Sequence, residues 1–411
     1  MEFTPTLPIS RGRIATLLVC TILTGPLAAL DWDQFHGPNR NLVSTESGWR
    51  TDWSSSGPKV LWKKEVGIGF SSVAVSAGRA YTIGHRGGNE TVFSIDVESG
   101  DEVWKHTYKC ALVDYLHEGG SASTPTVDGE HLYTLSREGR LFCFKKATGE
   151  IVWDRELQQM LSVPLPDWGF CSSPLVRGNQ LLLDTGATVA IDKTRGDLVW
   201  STQNYHSGYG SPIFFKHSGR EYVSVLNNDA AILIDPNAGK VLAEYTWRTS
   251  YATNGTTPIA HDGTLFISTG YDKGCALLEI RNGTLRELYS NKDMRNQLNN
   301  CVLFRGYLYG FDRNSSPRRL VNLKCMEYRS GSVRWKKTGF GSGGIMIADG
   351  KLIILGDQGT LAIAEATPKR FKLLSKKKVL SGRCWTVPVL SNGRIYCRDS
   401  KGSMVCLDVR K

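Results

Sequence analysis

Several chemistries are missing from this sequence before any fold is considered. It has no Cys-x-x-Cys-His for covalent haem, no zinc-type cysteine or histidine spacing, no glycine-rich phosphate loop opening a helix and no hydrolase nucleophile elbow. Long apolar runs are lacking too. The run from Ile14 to Leu23 is shorter than the ~20 residues of a spanning helix and is broken by Gly25 and Pro26. Preceded by Arg11 and Arg13 and followed by Ala28 and Ala29, it has the layout of a cleaved secretory signal over residues 1–29. Cys20 does not read as a lipidation site, because Val19 stands where a small residue is needed and the apolar run continues beyond it.

Removing that segment turns ten cysteines into nine, an odd number that implies no disulfide framework. Cys143 in "RLFCF" and Cys406 in "SMVCL" lie in apolar strand-like runs, where cysteine serves as a small buried hydrophobe. The formal charge of +11 falls only to +10, from 48 basic and 38 acidic residues. The basic residues are dispersed, which argues against nucleic acid as a partner. Their densest run, Lys376 to Lys378, reads either as a solvated turn between strands or as attraction for an anionic envelope polymer.

What the sequence has in quantity is 43 glycines and 11 tryptophans, and these repeat. Residues 122–157 show one unit: "ASTPTV", turn "DGE", "HLYTLSR", turn "EGR", "LFCFKK", turn "ATGE", "IVWDREL". Four short strands joined by Gly or Asp turns make one antiparallel blade, and a period of 40 to 50 residues marks a propeller. The ending Gly-x-x-x-Trp recurs at Gly100–Trp104, Gly149–Trp153, Gly196–Trp200 and Gly331–Trp335, with degenerate copies after Gly239 and Gly283 and a glycine-free one at "TPKRFKLL". Eight inner strands can be placed, starting near residues 73, 124, 173, 212, 258, 301, 345 and 387. The last unit lacks an outer strand, whereas "GPKVLWKKEVG" (57–67) is an outer strand without a blade. Joining the two removes exposed strand edges. The expectation is an all-β, eight-bladed propeller of four-stranded antiparallel blades over 57–411, closed by strand 57–67, with 30–56 as an N-terminal extension.

The endings "A-x-x-G-x-x-x-W" and the strands "S-P-x-V/A-x-x-G-x-x-Y" resemble the pyrroloquinoline-quinone (PQQ) propeller repeat over roughly residues 57–411. The stretch "DWDQFHGPNRNLVSTESGW" (31–49) with "GFSSVAVSAGRAYTIG" is similar to secreted PQQ-like propellers of planctomycetes and related bacteria. Two relatives of this repeat imply different functions. Quinoprotein alcohol dehydrogenases carry a vicinal cysteine pair, a catalytic Asp and Glu/Asn/Asp calcium ligands; no Cys-Cys occurs here and no calcium set can be matched. The propeller subunit of the outer-membrane β-barrel assembly machinery is a non-enzymatic scaffold.

In a propeller the segments entering the inner strands converge at one end of the channel. There the sequence places His117, Glu118, Asp167, Trp168, Tyr209, Tyr251, Asn254, Arg295, Asn300 and Trp385. One reading is a polar funnel, with Trp168 and Trp385 as stacking faces and Arg295 holding an anionic group. The other is that these side chains cap strand ends or plug the channel. Glu118, His117 and Asp167 could act as acid or base only if they converge, and Cys171, Cys301 and Cys384 near the mouth read as inert packed thiols. No catalytic residue, metal ligand or cofactor is assigned. The expectation is an exported, monomeric, non-enzymatic binding scaffold of the periplasm or cell envelope, without a spanning segment, engaging a protein or an anionic polymer. The alternative is a minimal PQQ-dependent alcohol or sugar dehydrogenase, with calcium, using the funnel.

Overall fold

The computed structural model describes residues 1–4, 30–54, 56–313 and 321–411, so nearly all of the leader expected at 1–29 lies outside the described residues. Eight antiparallel sheets form the ring. Blade 1 runs from inner strand Ala74–Ser76 to outer strand Glu102–Lys109, blade 2 from Thr126–Asp128 to Ile151–Glu156, and blade 3 from Leu175–Arg177 to Leu198–Ser201. Blade 4 runs from Ile213–His217 to Val241–Thr246, blade 5 from Ile259–His261 to Thr284–Asn291, blade 6 from Val302–Phe304 to Val333–Lys337, and blade 7 from Gly344–Ala348 to Leu373–Lys378. Blade 8 is composite: Val389–Ser391, Arg394–Arg398 and Ser403–Asp408 are completed by Lys59–Glu65, in register from Lys59 opposite Asp408 to Glu65 opposite Ser403. The ring therefore closes as the two incomplete units require. The one α-helix among the described residues is the five-residue Leu157–Leu161. No helix there is long and apolar enough to cross a membrane.

Outer-strand tryptophans lock blades to their neighbours. Trp62, Trp104, Trp153 and Trp200 donate their indole N–H to Val97, Lys146, Lys193 and Pro236 of the following blade, at 2.9 to 3.1 Å. The same rings press on Gly100, Gly149, Gly196 and Gly239, where a Cβ would stand 2.6 to 2.8 Å away. These glycines also have φ between +67° and +78°, so both backbone and space exclude a side chain. Trp335 repeats the bond to Thr367. In blade 5 Tyr289 takes the role, donating to the Tyr328 carbonyl and facing Gly331.

A second lock circles the channel. The Ser or Thr that starts an inner strand accepts the N–H of its counterpart one blade back: Ser72 to Thr124, Thr124 to Ser173, Ser173 to Ser211 and Ser211 to Thr257. Asn300 ends this run, accepting the N–H of Thr257 and donating to its carbonyl. The hydroxyls therefore stitch blades together.

Two features depart from the sequence reading and a third adds to it. Lys376–Lys378 are part of the outer strand of blade 7, not a turn. Blade 7 has five strands, because Val43–Ser44 adds in parallel to Gly344–Ala348. The extension is also fixed to the ring. Trp32 exchanges two backbone hydrogen bonds with Val75 of blade 1, and Val127 of blade 2 donates to Asp33. Arg40 reaches Pro174 and Ser173 of blade 3, and the Glu46 carboxylate accepts from the backbone of Asn392 and Gly393 in blade 8. A strand search misses this segment because it has neither alternation nor the repeat period.

Candidate functional site

Segments entering seven of the eight inner strands meet around a cavity of about 390 Å³ at the mouth of the channel. Its wall is an aromatic arc. Trp385 stacks on Phe70 at 5.5 Å, Phe70 meets the edge of His117 at 5.4 Å, His117 lies 6.4 Å from Trp168, and Trp168 meets Tyr209 edge-on at 5.5 Å. Tyr271, Gln297, Asn299 and Arg313 complete it on the blade 5 and 6 side. Phe35 and His36 of the extension, stacked at 3.7 Å, also line it. His36 and Arg40 also border a second space of about 450 Å³ against blades 4, 5 and 6. His36 and Asn300 thus stand between the two spaces.

The expected site residues separate into two groups. His117, Trp168, Tyr209, Asn300 and Trp385 line the cavity. Trp385 already carries Phe70 against its ring and the Arg383 and Arg313 guanidiniums at 4.4 and 5.3 Å from its centroid, so little of it is an open stacking face. Asn300 uses both amide atoms on Thr257, as described above. The other five are outside the lining. Arg295 is bound by Asp312 through Nε and Nη2 and by Asp272 through Nη1, at 2.8 to 3.0 Å. The Asp312 bond pushes the guanidinium further up, so it stays cationic and is already paired. Burial would raise Asp312, but Arg295 and Lys324 outweigh it and hold the carboxyl low. The role of Arg295 as a ligand clamp is corrected on this geometry: it buttresses blade 6, and its place on the cavity wall falls to Arg313.

Asn254 is fully buried and donates to the carbonyls of Asn227 and Trp247, a strand-end cap. Glu118 pairs with Arg383 at 3.0 Å. Asp167 is exposed, with its backbone carbonyl facing Arg137, and Tyr251 is 68% exposed against Tyr271. Glu118, His117 and Asp167 therefore do not form an acid–base set. Burial, helped by Arg383 and Arg137 and opposed by Glu118, pushes the His117 pKa down. Its Nδ1 accepts from the Gly119 N–H, leaving Nε2 as the donor of a neutral ring. Burial lifts the Cys171 thiol to about 12 and the Cys384 thiol to about 12, and lifts Cys301 as well, so none is a thiolate near neutrality. All nine cysteines among the described residues are free.

A quinone carried by calcium needs oxygen ligands that converge on the ion. The lining holds no carboxylate, and the described residues contain no group of three His, Cys, Asp or Glu able to hold a metal. The residues present do not fit a calcium-borne quinone.

Comparison with known proteins agrees with the blade architecture. The family model described as outer membrane protein assembly factor BamB matches residues 88–337. The curated protein of that name from Salmonella typhimurium is 32% identical over 108 residues, covering 26% of this chain and 26%, about a quarter, of its own length. Among solved structures, BamB from Moraxella catarrhalis superposes with a TM-score of 0.63 at 14% identity, covering 85% of this chain and 99% of that one. Quinohemoprotein alcohol dehydrogenase from Comamonas testosteroni gives 0.70 at 12% identity, covering 93% and 81%. At such identities the structural likeness is one of fold, and it spans both an assembly factor and a dehydrogenase. The family match covers more than half of the chain, which belongs to the PQQ-repeat propeller family described as outer membrane protein assembly factor BamB.

Proposed function

We propose that this chain is an exported, non-enzymatic binding scaffold of the cell envelope, and that its mouth cavity anchors an uncharged, ring-bearing group presented by its partner. The observation that carries this reading is the chemistry of the lining. Aromatic faces and a few amides dominate the wall, burial holds His117 and Cys171 neutral, Glu118 is paired with Arg383, and the Arg313 guanidinium of the lining lies over the Trp385 ring. General acid–base catalysis needs a group poised to exchange a proton near the working pH, and covalent catalysis needs an activated nucleophile. Apolar concave walls with few polar groups favour capture by burial and orientation instead. Family membership supports a scaffold role.

The test uses the chain from residue 30 onward. Calorimetric titration with indole and with a phenyl glycoside is expected to show saturable binding that is lost in Trp168→Ala. Dye-linked oxidation of alcohols or sugars after reconstitution with PQQ and calcium is expected to stay at background. Turnover that disappears in Trp168→Ala, with no binding of either neutral ligand, would overturn the proposal.

A further inference from the structure

The outer rim of the propeller is electrostatically two-sided. In blades 6, 7, 8 and 1 the outer strands read VRWKK, LLSKKK, KVLWKKE and EVWKHTYK, with eleven Lys or Arg against two Glu. In blades 2 to 5 they read IVWDRE, LVWS, VLAEYT and TLRELYSN, with two Arg against four Asp or Glu. These strands occupy equivalent positions in one repeat, so repeat architecture alone gives no reason for the difference. The four basic blades are consecutive: Trp335 bonds blade 6 to blade 7, Met346 of blade 7 accepts the Leu390 N–H of blade 8, and Trp62 bonds blade 8 to blade 1. Nine of the eleven cations are exposed, Lys64 and Lys377 being half-buried. Carboxylates take up only part of the charge, through Lys105 with Glu102 and Arg334 with Glu327. Lys59, Lys63, Lys109, Lys336 and Lys376 have no carboxylate within ion-pair distance among the described residues.

We infer that this half of the rim, centred on Lys376–Lys378 and Lys59–Lys64, binds a linear anionic polysaccharide laid across successive outer strands. Two features select that occupant. Exposed apolar side chains such as Val60, Val103 and Leu373 have counterparts in Val152, Leu198 and Val199 on the other side, so the sign of the charge distinguishes the sectors. That disfavours an apolar docking face. The basic sector also covers half of a convex circumference. A flexible chain of anionic groups can follow that curve and engage all four blades, whereas a flat bilayer meets a convex rim only near one line of contact and charge reaches only ~10 Å at 0.1 M salt. The strand edges add a row of backbone groups able to bond sugar hydroxyls. The inference is independent of the mouth cavity.

The experiment uses polygalacturonate and a neutral dextran of matched length, with the chain from residue 30 onward, by biolayer interferometry at several salt concentrations. Binding to polygalacturonate alone is expected, falling steeply as salt rises because bound cations displace counterions. The triple change K376Q/K377Q/K378Q combined with K59Q is expected to weaken it by about tenfold or more. The matching Lys→Arg variant should retain binding, and Arg155→Gln with Arg286→Gln on the other sector should leave it unchanged. Melting temperatures check that each variant is folded. Salt-insensitive binding, equal loss in the variant of the other sector, or preference for vesicles containing phosphatidylglycerol over the polysaccharide would overturn the proposal. Trp168→Ala should not alter polysaccharide binding, so a failure here is separable from a failure of the cavity reading.

Discussion

Arg398 provides the sharpest test of how the ring is held at its seam. It ends the strand Arg394–Arg398 of blade 8 and is 1% exposed. Its guanidinium donates to the carbonyls of Ser71, Ile83 and Gly67 and to the Thr82 hydroxyl at 2.7 to 2.9 Å, all in blade 1 or the segment leading into it. Burial lowers its pKa to about 10, with nearby Asp399 opposing, so it is still a cation at neutral pH. Arg398→Ala strips three buried carbonyls of a donor, at about 1–3 kcal/mol each. It also opens a cavity, while removing the cost of a desolvated charge. Taking the low end for each carbonyl, we expect a net loss of about 3–5 kcal/mol, a large share of the ~5–15 kcal/mol typical of a folded protein. Urea unfolding followed by tryptophan fluorescence should show the lower midpoint with an unchanged slope. Arg398→Met, which keeps most of the stem volume, should recover only the packing part. Arg398→Lys should recover less than half, because one ammonium cannot span the planar fork. A loss below about 1 kcal/mol for Arg398→Ala would mean that charge desolvation cancels the hydrogen bonds, and the seam would then rest on the strand pairing and Trp62.

Gly196→Ala is expected to cost about 2–3 kcal/mol in urea, because the new Cβ meets the Trp153 ring at 2.8 Å and φ is +76°. Gly178→Ala, with φ at +57° and nothing within 4 Å, should cost only about 1 kcal/mol, so equal losses would refute the packing argument. Burial raises Glu90 from 4.5 and Asp184 from 3.8 to about 7 in the fold. At these two carboxyls the fold binds more protons than the unfolded chain between about pH 4 and 7, so their contribution to stability is lost as pH rises through that window, while the histidines that burial pushes down, His36, His106 and His117, act in the opposite sense. Between pH 5 and 8 the midpoint of the unaltered chain should fall relative to that of Glu90→Gln with Asp184→Asn, and parallel profiles would refute the assignment. Trp32, 2% exposed and packed on Gly37, should cost about 3–5 kcal/mol when changed to Ala; a value within 0.5 kcal/mol would mean that the extension is not part of the core.

The candidate site was less legible than the fold, for reasons visible in particular residues. His117, Trp168, Tyr209 and Trp385 could be placed at the mouth because each lies just before an inner strand, a position set by repeat phase alone. Arg295 occupies a similar position, but Asp272 and Asp312, 23 and 17 residues away in sequence, turn it aside. Phe35 and His36 carry no repeat signal and were not found. The Ser and Thr residues before the inner-strand prolines were visible as strand starts, whereas their inter-blade hydrogen bonds were not.

What the sequence alone determined is the ring. A recurring Gly-x-x-x-Trp ending, an outer strand without a blade and a blade without an outer strand admit one closure, because edge strands left unpaired are costly and each repeat buries its face only against the next. What tertiary structure decided is the interior of that ring. Whether a side chain before an inner strand faces the cavity, caps a strand end or meets a carboxylate depends on neighbours brought from distant blades. That Phe35 and His36 line the cavity depends on residues 31–46, which have no period to read and are ordered by the blades they cross.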